Sequence, residues 1–204
     1  MLGWSGGGPH ALATAAGLPE RVLAAATIGS VAPFGAPGLD WTAGMGPENV
    51  EEFAAAVGGR DELGPFLARW REQLAGVTGP EVAESLGGLV DEVDREALSS
   101  SSFAEWLAEA WREGLRHSAD GWVDDDLAFV RPWGFDPRSI RVPVHVWQGK
   151  DDRMVPFAHG KWLAAQMPAA CAHLLDDEGH LSLAVGGLAG ILEELLAVRP
   201  RRES

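Results

Sequence analysis

Only one cysteine, Cys171, occurs in the 204 residues. No intramolecular disulfide can form, no cysteine-based metal site can be assembled, and the signature of an oxidising compartment is missing, so a cytoplasmic location is expected. Basic residues are scarce: 16 Lys and Arg stand against 30 Asp and Glu, a formal net charge of −14. Affinity for nucleic acid is built from cations that neutralise phosphates, so nucleic acid is not expected as a partner. No basic segment followed by an apolar stretch opens the chain, and no uninterrupted apolar run approaches the about 18 residues of a membrane span, so no membrane partner is expected either. Tyrosine is absent although nine Trp and seven Phe are present. Six of the tryptophans, Trp41, Trp70, Trp106, Trp111, Trp122 and Trp133, fall in the middle of the chain.

What remains is a composition of 46% hydrophobic and 23% charged residues, that of one globular domain with a sizeable core. Gly6 to Ala16 is small or apolar without alternation, which predicts a helix packed closely on a sheet and stopped at Gly17. Arg21 to Ser30 is an apolar run of strand length between Pro19 and Pro33 and predicts a buried parallel strand. From about Pro47 to Asp126 the pattern is helical, over Glu48 to Val57, Asp61 to Leu74, Pro80 to Leu98 and Phe103 to His117. Ser102 and Glu105 stand at capping-box spacing. Strand character returns at Val142 to Gln148, then a helix over Phe157 to Gln166, a strand over Ala172 to Leu175, and a closing helix over Leu181 to Val198. Strands alternating with helices predict an α/β fold with a mostly parallel sheet, covering helices and a helical insertion. The expected divisions are 1–33 for the first part of the core, 34–132 for the insertion and 133–204 for the rest of the core.

Chemistry is suggested at three strand-to-loop junctions. Gly3-Trp4-Ser5-Gly6-Gly7 fits G-x-S-x-G, the strained strand-to-helix turn that lifts a serine hydroxyl into the open. Alone it is weak, since a glycine-rich helix start with Ser5 as N-cap reads the same way. Asp151 and Asp152 lie in the turn after the strand ending at Gly149, where open α/β sheets place their sites. His180 follows the next strand, 28 residues after Asp152. His10, His117, His145, His159 and His173 read as ordinary residues. The chain order Ser, Asp, His is that of one of the three common serine triads.

Through GWSGGGPHAL, WQGKDDRMVP and DDEGHLSL the sequence resembles the α/β-hydrolase family, specifically its cap-bearing members with a serine nucleophile. The resemblance implies Ser5 as nucleophile, His180 as general base and then acid, and Asp152 as the acid, because the family's G-x-x-D-x-x-V-P pattern falls on Gly149, Asp152, Val155 and Pro156. Asp151 is the rival acid. The backbone N–H of Gly6 is the implied oxyanion donor, and neither cofactor nor metal is implied.

Family members carry several strands and a helix before the serine turn, so the expectation is an incomplete α/β-hydrolase fold with a stub of a nucleophile strand. The Arg21 to Ser30 strand would then present an unpaired apolar edge. The expected function is a serine hydrolase acting on a small-molecule ester or related acyl substrate through an acyl-enzyme. Ser5 argues against dehalogenases and epoxide hydrolases of the fold, which use Asp. The other reading is a catalytically inactive remnant or binding module.

Overall fold

The structure, a computed structural model, describes residues 1–198. Of the third expected division, 199–204 lie outside the described residues. Four parallel strands form one sheet in the order β1 (Leu2–Trp4), β2 (Ala25–Ile28), β3 (Val144–Gly149), β4 (Ala170–Leu175). Helices α1 (Gly7–Gly17), α8 (Phe157–Gln166) and α9 (His180–Ala197) cover it.

The alternation of side chains along a strand sorts the core into two layers. Ala25, Val144 and Val146 face Leu12 and Ala15 of α1 and Leu163 of α8. Ala26 and Ile28 face the opposite way, onto Leu183 and Ile191 of α9. All four residues of β2 are buried, as expected of a strand covered on both faces.

Two strand expectations change. Only the second half of the Arg21 to Ser30 run enters the sheet, because the N–H groups of Arg21 and Val22 bond back to Leu18 O and hold the first half in a turn. The unpaired edge also moves. The three-residue β1 pairs with β2 in the register Leu2↔Ala26, Gly3↔Thr27 and Trp4↔Ile28, so among the described residues the free edge belongs to β1 and not to β2.

Between β2 and β3 lie α2 (Pro47–Gly58), α3 (Arg60–Leu74), α4 (Val82–Ser85), α5 (Glu92–Leu98), α6 (Ser101–Gly114) and α7 (Asp120–Phe129). Leu63, Leu67, Leu74, Leu115, Val123 and Leu127 give this block its own apolar core, which also takes in Val31 and Val155 from loops of the sheet. The single helix expected over Pro80 to Leu98 is broken into short pieces, with Gly87 at φ +55° in the break. The expected capping box is absent. Ser100 occupies the N-cap of α6, and Glu105 instead accepts from Gly79 N–H at 2.9 Å and from Arg112 at 2.8 Å.

Helix α9 is the one described helix long and apolar enough to cross a membrane, with a mean hydropathy of 1.4 and 22% of its residues buried. Within α9 only Glu193 and Glu194 interrupt the apolar residues with charge, and Val185, Leu188, Leu192 and Leu196 are exposed.

Candidate active site

Ser5 sits between β1 and α1 with φ +53°, the one non-glycine residue among those described with positive φ. A side chain in that region is held against steric cost, a mark of functional turns. Its N–H donates to Ile28 O at 2.8 Å, which fixes the turn to the end of β2. Of the glycines in the sequence pattern, Gly3 is demanded by space, since a Cβ there would lie 2.1 Å from Gly7 O, whereas a Cβ at Gly7 meets nothing.

Asp152 and His180 are brought together as the sequence predicts. His180 Nδ1 donates to Asp152 Oδ2 at 2.8 Å, with both residues buried. This bond leaves Nε2 as the basic nitrogen. Asp152 is held by every lone pair it can offer: Oδ1 accepts the N–H groups of Met154 (2.9 Å) and Val155 (2.7 Å), and Oδ2 also accepts from Gln148 Nε2 at 3.0 Å. The rival, Asp151, is exposed. Burial opposes charge on His180, but the Asp152 carboxylate, its hydrogen bond and the more distant Asp94 outweigh that, and the imidazole pKa is raised above its ordinary value.

Ser5 follows β1 and His180 follows β4, at the same end of the sheet but on its two outer strands, and the Trp4 and His180 rings stand 5.6 Å apart between centroids. No hydrogen bond joins Ser5 to His180. Gly29, one residue past β2 at φ +52°, is the spacer here, because a Cβ on it would come 2.7 Å from His180 Nδ1 and 3.0 Å from Asp152 Oδ2.

Ser5 and Gly6 open onto a cavity of about 520 Å³ whose walls include Trp70, Trp111, Trp122 and Phe129 from the helical block. Gly6 is the N-cap of α1, and its N–H has no backbone acceptor among the described residues. The same cavity is bordered by Glu52 and Asp126. Trp122 Nε1 donates to Glu52 Oε1 at 2.8 Å. Burial raises the Glu52 carboxyl, against its bonds to Asp126 and Trp122. Burial together with the neighbouring Glu52 charge pushes Asp126 up to about 10, so it stays protonated at neutral pH and can donate to Glu52.

Two residues of this region were invisible in the sequence. Gln148 bridges Asp152 and Val155 O, the latter at 2.8 Å. Asp94, in α5 of the insertion, is fully buried and caps the helix that begins at His180. Its Oδ2 accepts His180 N–H at 3.0 Å, and its Oδ1 accepts those of Leu181 (2.8 Å) and Ser182 (2.9 Å). Burial raises the Asp94 carboxyl, opposed by these three donors and by His180. The reading of His159 as an ordinary residue also changes: it is fully buried, accepting Ala32 N–H at 3.0 Å and donating to Trp41 O at 2.8 Å.

A family described as "Alpha/beta hydrolase family" matches residues 1–185. No match is found among curated proteins. Among solved structures, the chain is similar to a putative non-heme bromoperoxidase from Mycobacterium tuberculosis H37Rv, with 16% identity and a TM-score of 0.62 over 98% of this chain and 67% of that one. It is similar to an esterase from Rhodococcus sp. ECU1013 at 19% identity and TM-score 0.58, covering 97% and 65% of the two chains. A 2-hydroxy-6-oxo-6-phenylhexa-2,4-dienoate hydrolase from Rhodococcus sp. strain RHA1 gives 20% identity and TM-score 0.55, covering 96% and 62%. The chain thus spans about two thirds of the length of these structures.

Proposed function

The chain belongs to the α/β-hydrolase family, and from that premise we propose that it is a serine hydrolase acting on an ester or related acyl substrate through an acyl-enzyme. The observation that carries the reading is the strained Ser5 turn after β1, at the same end of the sheet as a buried His180–Asp152 pair that follows β3 and β4, with the Trp4 and His180 rings 5.6 Å apart. In the reaction, His180 Nε2 takes the Ser5 hydroxyl proton as Oγ bonds to the acyl carbon. The oxyanion that forms is met by Gly6 N–H. Collapse breaks the bond to the leaving alcohol, which takes the proton back from His180, and water repeats the sequence to free the acid and Ser5. Apo hydrogen bonds of this kind are often long and tighten with substrate bound.

The insertion, 34–132 in the sequence division, acts in this reading as a cap over Ser5. Its tryptophans suit an apolar acyl or aromatic group, and the location is cytoplasmic. The solved structures carrying this fold include an esterase, a bromoperoxidase and a dienoate hydrolase, so the fold by itself does not choose the leaving group.

The test is covalent trapping. Incubation with a short-chain aryl ester is expected to give a burst of phenol and an acyl adduct on Ser5, both absent from Ser5→Ala. A second reading, a non-catalytic binding module, draws on the missing bond between Ser5 and His180. An intact chain that forms no Ser5 adduct and turns over no ester would favour it and sink the first.

A further inference from the structure

His145, on β3, lies directly beside Cys171 of β4, and Trp147 directly beside His173. Side chains two apart on a strand share a face, and in-register parallel neighbours share it too. His145, Cys171 and His173 therefore project together, on the face that α9 covers. His145 Nδ1 stands 3.3 Å from His173 Nε2. From α9, Glu194 brings Oε2 to 2.9 Å from the first nitrogen and 3.1 Å from the second. One nitrogen of each imidazole and the Cys171 sulfur all lie within 4.8 Å of one another. The indole of Trp147 stacks on His173 with centroids 3.8 Å apart and planes 3° from parallel, which fixes that ring.

An ordinary carboxylate between two imidazoles would accept an N–H from one of them. Glu194 Oε2 does not: it is buried, close to both nitrogens, and without a hydrogen bond from either among the described residues. The triangle it forms, with edges of 2.9, 3.1 and 3.3 Å, has the dimensions of one face of a ligand tetrahedron. Nitrogen and oxygen ligands about 2.0–2.2 Å from zinc stand about 3.3–3.6 Å from one another. The edges lengthen by a few tenths of an ångström on binding, and the sulfur supplies the fourth vertex by a rotation of the Cys171 side chain.

We infer that His145, Cys171, His173 and Glu194 bind one borderline-soft divalent cation, with zinc the best match to a donor set of two imidazoles, one thiolate and one carboxylate. Such a site departs from the expectation drawn from the cysteine count, which excludes a thiolate cluster but not a mixed site. It also assigns a role to His145 and His173, which read as ordinary residues in the sequence. On binding, each ring carries its proton on the nitrogen away from the ion, and the thiol proton passes to solvent, one per ion bound. Four protein ligands make the site structural in type. Its place explains its use: α9 is tied at its start by Asp94, whereas Leu192 and Leu196 of its second half are exposed. An ion bridging Glu194 to β3 and β4 staples the loosely packed end of the helix that begins with His180.

The experiment strips the full chain with a chelator and titrates it with Co²⁺ and then Zn²⁺. The expected result is one ion per chain, the intense visible absorption of tetrahedral Co²⁺, a thiolate-to-cobalt charge-transfer band, displacement by Zn²⁺, and a higher Tm in Zn²⁺. Cys171→Ser, a change at an exposed side chain, should abolish the charge-transfer band while the far-UV spectrum stays that of the parent. The double change His145→Ala with His173→Ala should weaken Kd by more than about 100-fold, the upper end of what loss of a mere supporting residue costs. Pale octahedral Co²⁺, binding without stoichiometry, or a charge-transfer band that survives Cys171→Ser would overturn the site.

Discussion

Replacing Asp94 examines the join between the insertion and the helix of His180. Asp94→Ala removes the acceptor of three N–H groups, those of His180, Leu181 and Ser182, at a site with no exposure. A buried donor left unsatisfied costs about 1–3 kcal/mol, so three at the low end give about 3 kcal/mol. For a chain of this size each kcal/mol moves Tm by about 2–4 °C, which puts the expected fall at about 6–12 °C. Asp94→Asn separates stability from chemistry. Its oxygen can still serve Leu181 and Ser182, but its amide meets the His180 N–H donor to donor, so one bond of the three is lost and the fall in Tm is about a third as large. It also removes a negative charge that raises the His180 pKa. A base must be neutral to act, so any activity limited by His180 on the acid side should extend to lower pH in Asp94→Asn. Thermal melting followed by circular dichroism measures the first effect, and a pH–rate profile the second. Melting of Asp94→Ala within 2 °C of the parent, about the shift of a sub-kcal/mol change, would refute the capping argument.

Three further outcomes follow from the same geometry. Asp152→Asn should depress ester turnover by about 10⁴-fold through the wrong imidazole tautomer, with Asp151→Asn near the parent; equal losses would reverse the assignment of the acid. Gly29→Ala should cost both turnover and Tm, because its Cβ would lie 2.7 Å from His180 Nδ1 at a φ of +52°, and parental turnover in that variant would show the spacer to be unnecessary. Between the unfolded carboxyl value and about 10, folded Asp126 holds a proton that the unfolded chain has released, so stability falls as pH rises across that window. Asp126→Asn should flatten the decline of Tm from about pH 5 to pH 9, and an unchanged slope would place the strained carboxyl elsewhere.

What the sequence disclosed was what local pattern encodes. The spacing Gly149, Asp152, Val155, Pro156 selected Asp152 over its neighbour because the same turn that exposes Asp151 aims the N–H groups of Met154 and Val155 at Asp152. The glycines around Ser5 marked a tight turn for the same reason. Asp94 was hidden because its partner lies 86 residues away and Asp91-Glu92-Val93-Asp94 reads as any acidic helix start. Glu52 and Asp126 meet only through the packing of α2 on α7. The alternation of Cys171 and His173 was visible, but placing His145 beside them required the register of β3 on β4, which no local pattern records. The start of the Arg21 to Ser30 run was misjudged because apolar residues also fill the partly buried turn that leads into β2.

The three bonds from Asp94 have an architectural consequence. The carboxylate belongs to the helical block and the peptides it holds belong to the helix of His180, so the two cannot separate without stranding those peptides. Swinging α5 away from the start of α9 would break that fastening first, so at this join the block is held fixed. Nor is it an interchangeable module. A different insertion grafted between β2 and β3 would have to bring its own acid to the same point in space, or the histidine helix would lose its anchor along with the cover it was meant to exchange.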